Sequence, residues 1–146
     1  MMTDALQQLS TAQAVTTTAV STNTIDFGPS PSMTKNPAFA NIAVDESAAA
    51  AGAATVQFQV VSSSAADLSN PTVLASSGEI PKSDLVARRA PICVKATFDS
   101  MPSNHRFLGM RYTVATGPLT AGKFSAVLTD TEVSVGKYHS SSITVA

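Results

Sequence analysis

Alternating apolar and polar positions dominate residues 106–129. Two segments, roughly 107–114 and 123–129, alternate as half-buried β-strands do. Side chains two apart in a strand point the same way, so each segment has one apolar face: Leu108, Met110, Tyr112 and Val114 in the first, Phe124, Ala126 and Leu128 in the second. The loop between them contains Gly and Pro and can reverse the chain. The pattern predicts a β-hairpin on which a sandwich core can be built.

The same alternation predicts further strands within residues 14–27 (with a bend at 21–23), 38–44, 55–63, 73–76 and 92–98. Residues 28–37 contain three prolines and are predicted to be loop. Residues 45–54 are predicted to form a loop of small residues, with a helix as the less favoured alternative. Residues 80–90 are predicted to form a charged surface loop or a single helical turn. Seven or eight short strands without a long helix predict an all-β chain, a jelly-roll-like antiparallel β-sandwich.

Both ends of the chain are predicted to lie outside this sandwich. In residues 1–13, Leu6 and Leu9 have helical spacing after a possible cap at Thr3 or Asp4, but the segment is short for an isolated helix. We interpret it as an arm that becomes ordered by docking. Residues 131–146 form a tail that can add an edge strand to this chain or a neighbour. The predicted division is 1–13 arm, 14–130 β-sandwich domain and 131–146 tail.

The composition fits one domain with a charge-poor surface. A chain of 146 residues can bury roughly two-thirds of the surface that it exposes when unfolded. Charged residues make up 13% of the chain, against roughly 25% in an average soluble domain. Either Ser and Thr simply suit strands and turns, or protein partners cover much of the exterior, because charged residues are depleted at the centres of interfaces. The sequence leaves both explanations open.

Charge and cysteine content exclude several classes of function. The net charge is −1 and the pI is about 6.0, so the chain lacks the basic field that would hold nucleic acid or an anionic membrane. Cys93 is the only cysteine, which excludes an internal disulfide and a multi-cysteine metal cluster. We find neither a secretory leader pattern nor eighteen consecutive apolar residues. We therefore expect a protein made and kept in a cytosol-like compartment, or in a particle assembled there.

The sequence offers little recognisable chemistry. His105 and His139 are the candidate bases for nucleophilic catalysis, but neither belongs to a known motif and both are expected to be exposed turn residues. The histidines and Cys93 match no metal-ligand spacing. Two carboxylate pairs could in principle act as acid and base: Asp45 with Glu46, and Asp130 with Glu132. Asp45 and Glu46 are adjacent and would point to opposite faces of a strand, and Asp130 and Glu132 lie at a strand end. We expect no enzyme activity, no metal and no cofactor.

Arg88 and Arg89 form the one cationic cluster. They are either a solvated turn or a site that pairs with acidic residues of a partner, a role that suits the guanidinium fork of Arg.

Three long segments carry a resemblance to one family. The string RYTVATGPLTAGKFSA (residues 111–126) resembles a segment of the capsid cement, or decoration, proteins of short-tailed bacteriophages and related prophages. TDALQQLSTAQAVTTTAVSTNTIDFG (3–28) is similar to that family's N-terminal pattern D-x-L…L-S-x-A-Q-A-V-T…S-T-x-x-I-D-x-G. AAGAATVQFQVVSSSAADLSNPTVLASSGEIP (50–81) resembles its middle segment, and Tyr138 with its small neighbours is loosely alike. Residues 28–47 and 82–105 match less clearly.

The resemblance implies a jelly-roll-like sandwich that binds the outer surface of an icosahedral shell, as a homodimer, and bridges neighbouring major capsid proteins. It implies no catalysis, no nucleic acid, no membrane and no small-molecule substrate. We expect the protein to be made in the host cytoplasm and to act on the capsid exterior. The arm and the tail are hypothesised to make much of the bridging contact, and the candidate partner-binding residues are Leu6, Leu9, Arg88, Arg89 and Tyr138.

Two other interpretations stay open. A carbohydrate-binding or tail-associated β-sandwich module would use exposed aromatic rings as stacking platforms, and the chain has no Trp and only Tyr112 and Tyr138. A small β-sandwich hydrolase would need a nucleophile and base that the sequence does not clearly supply.

Overall fold

The computed structural model describes residues 7–29 and 37–129. This part of the chain contains nine β-strands: β1 (Gln8–Ala14), β2 (Ala19–Val20), β3 (Ile25–Asp26), β4 (Ala38–Ala49), β5 (Thr55–Ser63), β6 (Thr72–Pro81), β7 (Ile92–Ala96), β8 (Phe107–Ala115) and β9 (Ala121–Thr129). A 3-10 turn, Lys82–Asp84, lies in the segment that was predicted to form a surface loop or helical turn. The described residues contain no α-helix, and the prediction of an all-β chain is confirmed.

The strands form two antiparallel sheets packed as a sandwich. Sheet A has the order β1-β9-β4-β7, and sheet B has the order β2-β8-β5-β6, with β3 also paired to β8. Strands from opposite ends of the chain are neighbours: β1 lies beside β9, β2 and β3 beside β8, β4 beside β7, and β5 beside β6. This is the connectivity of a long hairpin rolled into two sheets, which is a jelly roll.

The core lies between the sheets and is built from the apolar faces that the alternation predicted. Leu108, Met110 and Tyr112 of β8 and Phe124 and Ala126 of β9 are completely buried. Three rings from three strands contact one another at the centre, with centroid separations of 5.2 to 5.9 Å: Phe58, Tyr112 and Phe124. Such pairs contribute about 0.5–1.5 kcal/mol beyond the burial of their area.

The predicted hairpin at residues 107–129 is wrong. β8 pairs with β5, whereas β9 pairs with β4 and β1, so the two strands belong to different sheets. The connecting residues cross from one sheet to the other, with left-handed backbone at Thr116 and Gly117. The apolar faces meet through side chains instead: the rings of Tyr112 and Phe124 stack at 5.9 Å. Alternation determines which side of a strand is apolar, but it does not determine which strand is its hydrogen-bonded neighbour.

The described part of the predicted N-terminal arm is an edge strand of sheet A. β1 pairs with β9 through an irregular register, with a left-handed residue at Ala12, and Leu9 is fully buried in the core. Helical spacing was therefore misleading, because pairing with β9 supplies backbone hydrogen bonds that a short isolated helix cannot maintain. The proposed boundary at residue 13 falls inside this strand. Leu6 and residues 131–146 lie outside the described residues.

Two further strands are longer than predicted. β4 continues to Ala49 because it pairs with β9 across two register shifts, one between Val44 and Glu46 and one between Glu46 and Ala49. The loop expected at residues 45–54 therefore begins only after Ala49, and the helical alternative is excluded. β6 passes through Gly78, where the chain has φ +75°, instead of ending there. In both cases a bulge allows pairing to continue across residues that suggest a turn.

Residues 64–71 fold over the outer face of sheet B. Leu68 is 2% exposed and lies directly on Gly109 of β8. A Cβ atom at residue 109 would overlap the Leu68 Cδ1 methyl and would lie 3.0 Å from Ser21 Oγ. Close packing of Leu68 requires glycine at residue 109, and the loop of residues 64–71 covers this part of the outer face.

Candidate partner-binding surface

The outer face of sheet A carries small and apolar side chains in its middle and charged side chains towards its ends. The register of β7, β4 and β9 aligns Lys95, Phe39 and Thr129 in one row. The next outward-facing row contains Cys93, Asn41 and Val127. Ala43 and Asp45 continue this face along β4, and both are exposed. The result is a patch of small and apolar side chains, with Lys95 towards one end and Asp45 and the Glu46–Lys123 ion pair towards the other.

Asn41 is the unusual residue of this face. Its side chain is only 3% exposed although it lies on the outside of the sandwich. Its amide nitrogen Nδ2 donates to Thr129 Oγ1 at 2.7 Å, but its oxygen Oδ1 has no hydrogen-bond partner among the described residues. An unsatisfied buried acceptor costs about 1–3 kcal/mol. Such a group is rare in native proteins, so the site requires a physical explanation.

The outer face of sheet B is polar and internally bonded. Gln59 Oε1 accepts hydrogen bonds from Arg111 Nε at 2.8 Å and from Thr113 Oγ1 at 3.1 Å. Gln57 Nε2 donates to Ser76 Oγ at 2.6 Å across the neighbouring pair of strands. Gln57 and Gln59 alternate along β5 with the core residues Val56, Phe58 and Val60, and these contacts place both glutamines on the outer side. The hydrogen bonds explain why Gln59 is nevertheless buried.

Arg88 and Arg89 lie in the segment that runs along the edge of β4 before β7 begins. Arg88 has left-handed backbone (φ +66°), and its amide donates to the Val44 carbonyl at 3.4 Å. The Arg89 Nη1 donates to the Asp84 carbonyl at 2.6 Å, which folds its side chain back over the 3-10 turn. Neither guanidinium forms an ion pair within residues 7–29 and 37–129. Both positive charges are therefore available to an acidic partner.

The structure places three of the five candidate partner-binding residues, and these three do not form one site. Leu9 is in the core, so its side chain is not offered to a partner while β1 is docked. Leu6 and Tyr138 lie outside the described residues. Only the two arginines are placed on a surface. Asn41, Lys95 and Asp45 were not predicted as partner-binding residues, although the position of Asn41 between Phe39 and Ala43 on one strand face was visible in the sequence.

His105 is not the exposed turn residue that the sequence suggested. It is 8% exposed, and its Nδ1 lies 2.9 Å from Ser62 Oγ. A serine–histidine pair is part of a nucleophilic triad, but Ser62 is completely buried and a substrate could not reach its hydroxyl in this conformation. We interpret the pair as a contact that attaches residues 99–106 to the end of β5. His139 lies outside the described residues.

The ion pair between Arg106 and Asp26 has a structural role. Arg106 donates to both Asp26 carboxylate oxygens, Nε to Oδ1 at 2.8 Å and Nη2 to Oδ2 at 2.6 Å, and so ties β3 to the start of β8. These hydrogen bonds hold the pKa of Asp26 below its usual 3.8. Within the part of the chain that is described, no cluster of three or more His, Cys, Asp or Glu side chains could hold a metal ion, and no helix could span a membrane.

An open depression of about 500 Å³ lies at one end of the sandwich. Its walls are Thr17, Thr18, Val114, Gly117 and Pro118, which bring neither charge nor an aromatic ring. Tyr112, one of the two tyrosines considered as a stacking platform, is fully buried, and its hydroxyl donates to Ser10 Oγ at 2.7 Å. Burial raises its pKa to about 12. The described surface thus provides no tyrosine on which a sugar ring could stack.

Comparison with known proteins gives one family. No curated protein matches the chain. The model of the Bbp16 family matches residues 9–128, from the first buried leucine of β1 almost to the end of β9. The matched region is the jelly roll itself. The chain therefore belongs to the Bbp16 family.

Proposed function

We propose that this protein is a capsid cement, or decoration, protein. It binds the outer surface of an icosahedral phage shell as a homodimer and stabilises the shell by bridging neighbouring major capsid proteins. It is made in the host cytoplasm and remains on the virion, and it acts without a cofactor or a chemical step.

The observation that carries this proposal is the resemblance to capsid cement proteins in three segments between residues 3 and 126. The segments occur in the same order along the chain, and they contribute residues to seven of the nine described strands, all except β4 and β7. A resemblance confined to one hairpin-like string would support a shared turn only. One that extends across both sheets supports a shared protein class.

The surface is compatible with extensive protein contact. Both outer sheet faces are poor in charge, as the buried centres of protein interfaces are. Large parts are formed by amide, hydroxyl and small apolar groups such as Gln57, Gln59 and Ala43. Arg88 and Arg89 add a cationic edge, in a segment where the resemblance to cement proteins is weakest. We assign them contacts with carboxylates of the shell that are particular to this protein.

Shell reinforcement does not require a strong individual contact. A dimer that touches several shell subunits makes its later contacts intramolecularly, so modest contacts combine into persistent binding. Each contact then links subunits that would otherwise separate when the shell opens. The arm and the tail extend this reach if they become ordered on the shell, at a cost in conformational entropy.

Co-sedimentation with matched shells that lack the protein tests the proposal. Saturable binding in a fixed ratio, with a raised temperature of shell opening, is the expected result. Arg88→Gln with Arg89→Gln should weaken binding, whereas Lys123→Gln serves as the matched control because it removes an exposed charge that is already paired with Glu46 at 3.5 Å. Absence of saturable binding to mature shells would refute the cement function. Binding of the chain to a glycan array would then favour the carbohydrate-binding alternative.

A further inference from the structure

Residues 86–89 form an exposed cationic turn at the edge of sheet A. We infer that this turn recognises a carboxylate-bearing loop of the major capsid protein, in which the Arg89 guanidinium binds a carboxylate and Val86 contacts an apolar side chain beside it. This assignment rests on the proposed function. It deepens that function by giving each side chain of the turn a separate role and by naming the chemistry of its occupant.

The segment that leads into the turn is fastened to β4, so the turn is presented from a fixed backbone. The Ala48 amide donates to the Leu85 carbonyl at 2.9 Å. The Ala87 amide donates to Ser47 Oγ at 2.8 Å. These bonds join the segment to a strand at the centre of sheet A, and the side chains of the turn extend outwards from this support.

The turn itself brings an apolar and a cationic residue together. The Arg89 amide donates to the Val86 carbonyl at 3.3 Å, and residues joined in this way lie within about 7 Å of each other at Cα. Arg88 holds the third position, with left-handed backbone (φ +66°). Glycine is favoured at such a position, and a strained residue of another type indicates that its side chain has a function.

The Arg89 guanidinium is oriented without being neutralised. Its Nη1 donates to the Asp84 carbonyl at 2.6 Å, and its Nε donates to the Ala90 carbonyl at 3.3 Å. A guanidinium has five N–H donors, so three remain. Arg89 forms no ion pair within residues 7–29 and 37–129. A carboxylate matches the guanidinium fork with its two oxygens, and a fork that is already held in place loses less entropy on binding.

The surroundings of the fork favour a protein carboxylate over a polyanion. Residues 82–89 contain three cations and one carboxylate, whereas the whole chain has a net charge of −1: Lys82, Arg88 and Arg89, with Asp84. So small a cluster does not provide the extended basic surface that holds nucleic acid. Val86 is 48% exposed, more than any other large apolar side chain of the described residues. Arginine beside an apolar side chain is typical of protein interfaces.

Retention of the full chain on a peptide array of the matched shell's major capsid protein is the primary test. We expect retention on peptides that carry an acidic residue beside an apolar one, and loss of retention when the acidic residues are replaced by their amides. Arg89→Gln should weaken retention about tenfold. Arg89→Lys should weaken it nearly as much, because an ammonium group does not reproduce the fork. Lys123→Gln removes one positive charge elsewhere and should bind like the natural chain.

The other two side chains of the turn have tests of their own. Arg88→Gly should weaken retention by about threefold. Its melting temperature should stay the same or rise, because glycine suits the left-handed backbone at this position. A purely structural role for Arg88 would leave retention unchanged. Val86→Thr replaces a methyl group by a hydroxyl and should also weaken retention, whereas Val73→Thr, at a residue 39% exposed on β6, is the matched control.

Two results would overturn the inference. One is that the natural chain is retained on no acidic peptide, or is retained equally after amide replacement or Arg89→Gln. The other is stronger retention on heparin or single-stranded DNA at physiological salt, which would identify a polyanion as the occupant. Shell binding is measured separately. A chain that saturates shells but ignores acidic peptides refutes only this site, and a chain that binds acidic peptides through Arg89 but ignores shells refutes only the cement function.

Discussion

The contact between Leu68 and Gly109 packs the β5–β6 loop against the outer face of sheet B, and its contribution to stability can be measured by substitution. Leu68 belongs to the loop between β5 and β6, and Gly109 belongs to the central strand β8. Two groups crowd the position that a Cβ atom would take at residue 109. They are the buried Leu68 methyls and Ser21 Oγ, which also accepts a hydrogen bond from the Met110 amide at 3.1 Å.

Gly109→Ala should therefore destabilise the fold by about 1–3 kcal/mol, the usual cost of overpacking a well-packed site. For a domain of this size that corresponds to a decrease in melting temperature of about 3 °C per kcal/mol. Gly52→Ala is the matched control, because its added Cβ would meet only the Thr116 carbonyl oxygen at 3.9 Å. The control should be neutral or slightly stabilising, since alanine restricts the unfolded chain.

A double-mutant cycle separates packing from other causes. Leu68→Ala alone should cost about 2–5 kcal/mol as a buried large-to-small substitution. In the double variant, the methyl at residue 109 occupies part of the space that Leu68 leaves. The double variant should thus be more stable than the sum of the single changes predicts, by about 1 kcal/mol or more. Denaturant unfolding measures all four proteins. Additive effects, or a Gly109→Ala cost as small as that of Gly52→Ala, would refute the packing argument.

Three further predictions concern side chains with defined partners. Because burial raises the pKa of Tyr112 to about 12, its contribution to the free energy of unfolding, about 3 kcal/mol at most, is fully present below pH 10 and should be lost as the pH rises from 10 towards 12. Tyr112→Phe should remove this loss of stability, measured as alkaline unfolding by circular dichroism. Asp26→Asn should lower the melting temperature at neutral pH, because the hydrogen bonds from Arg106 need the carboxylate. The variant should also lack the loss of stability that the natural chain shows as the pH falls through the depressed pKa of Asp26. The same dependence of melting temperature on acidic pH in both proteins would contradict this. Arg88→Gln with Arg89→Gln should reduce shell binding with little change in melting temperature, and full binding would remove these residues from the interface.

Local alternation was sufficient to predict the core. The faces of β5, β8 and β9 that alternate in the sequence are the faces that pack inside, because one side of each strand must be removed from water. Phe58, Tyr112 and Phe124 could therefore be assigned to the core before any neighbour was known. The fold class followed from the number of such strands and the absence of a long helical pattern.

Strand pairing could not be predicted in the same way. β8 and β9 are consecutive and apolar on one side, which is equally compatible with a hairpin and with two strands facing each other across a sandwich. The structure adopts the second arrangement. Leu9 and residues 45–49 follow the same rule, since long-range pairing with β9 determines their conformation and local propensity does not.

The surface features required three-dimensional information for a different reason. His105 lies within hydrogen-bond distance of Ser62, forty-three residues away, and Asn41 donates to Thr129, eighty-eight residues away. Neither partner is apparent from sequence spacing. Arg88 and Arg89 were recognisable from the sequence because a charge cluster is local, but their lack of an acidic partner among the described residues became visible only in the fold.

Co-sedimentation with capsid shells lacking this protein is the decisive experiment for the cement function. We expect saturable binding of a fixed number of copies to the shell exterior and a higher temperature of shell opening. Failure to bind mature shells, or binding that leaves the opening temperature unchanged, would contradict the assignment as a cement protein.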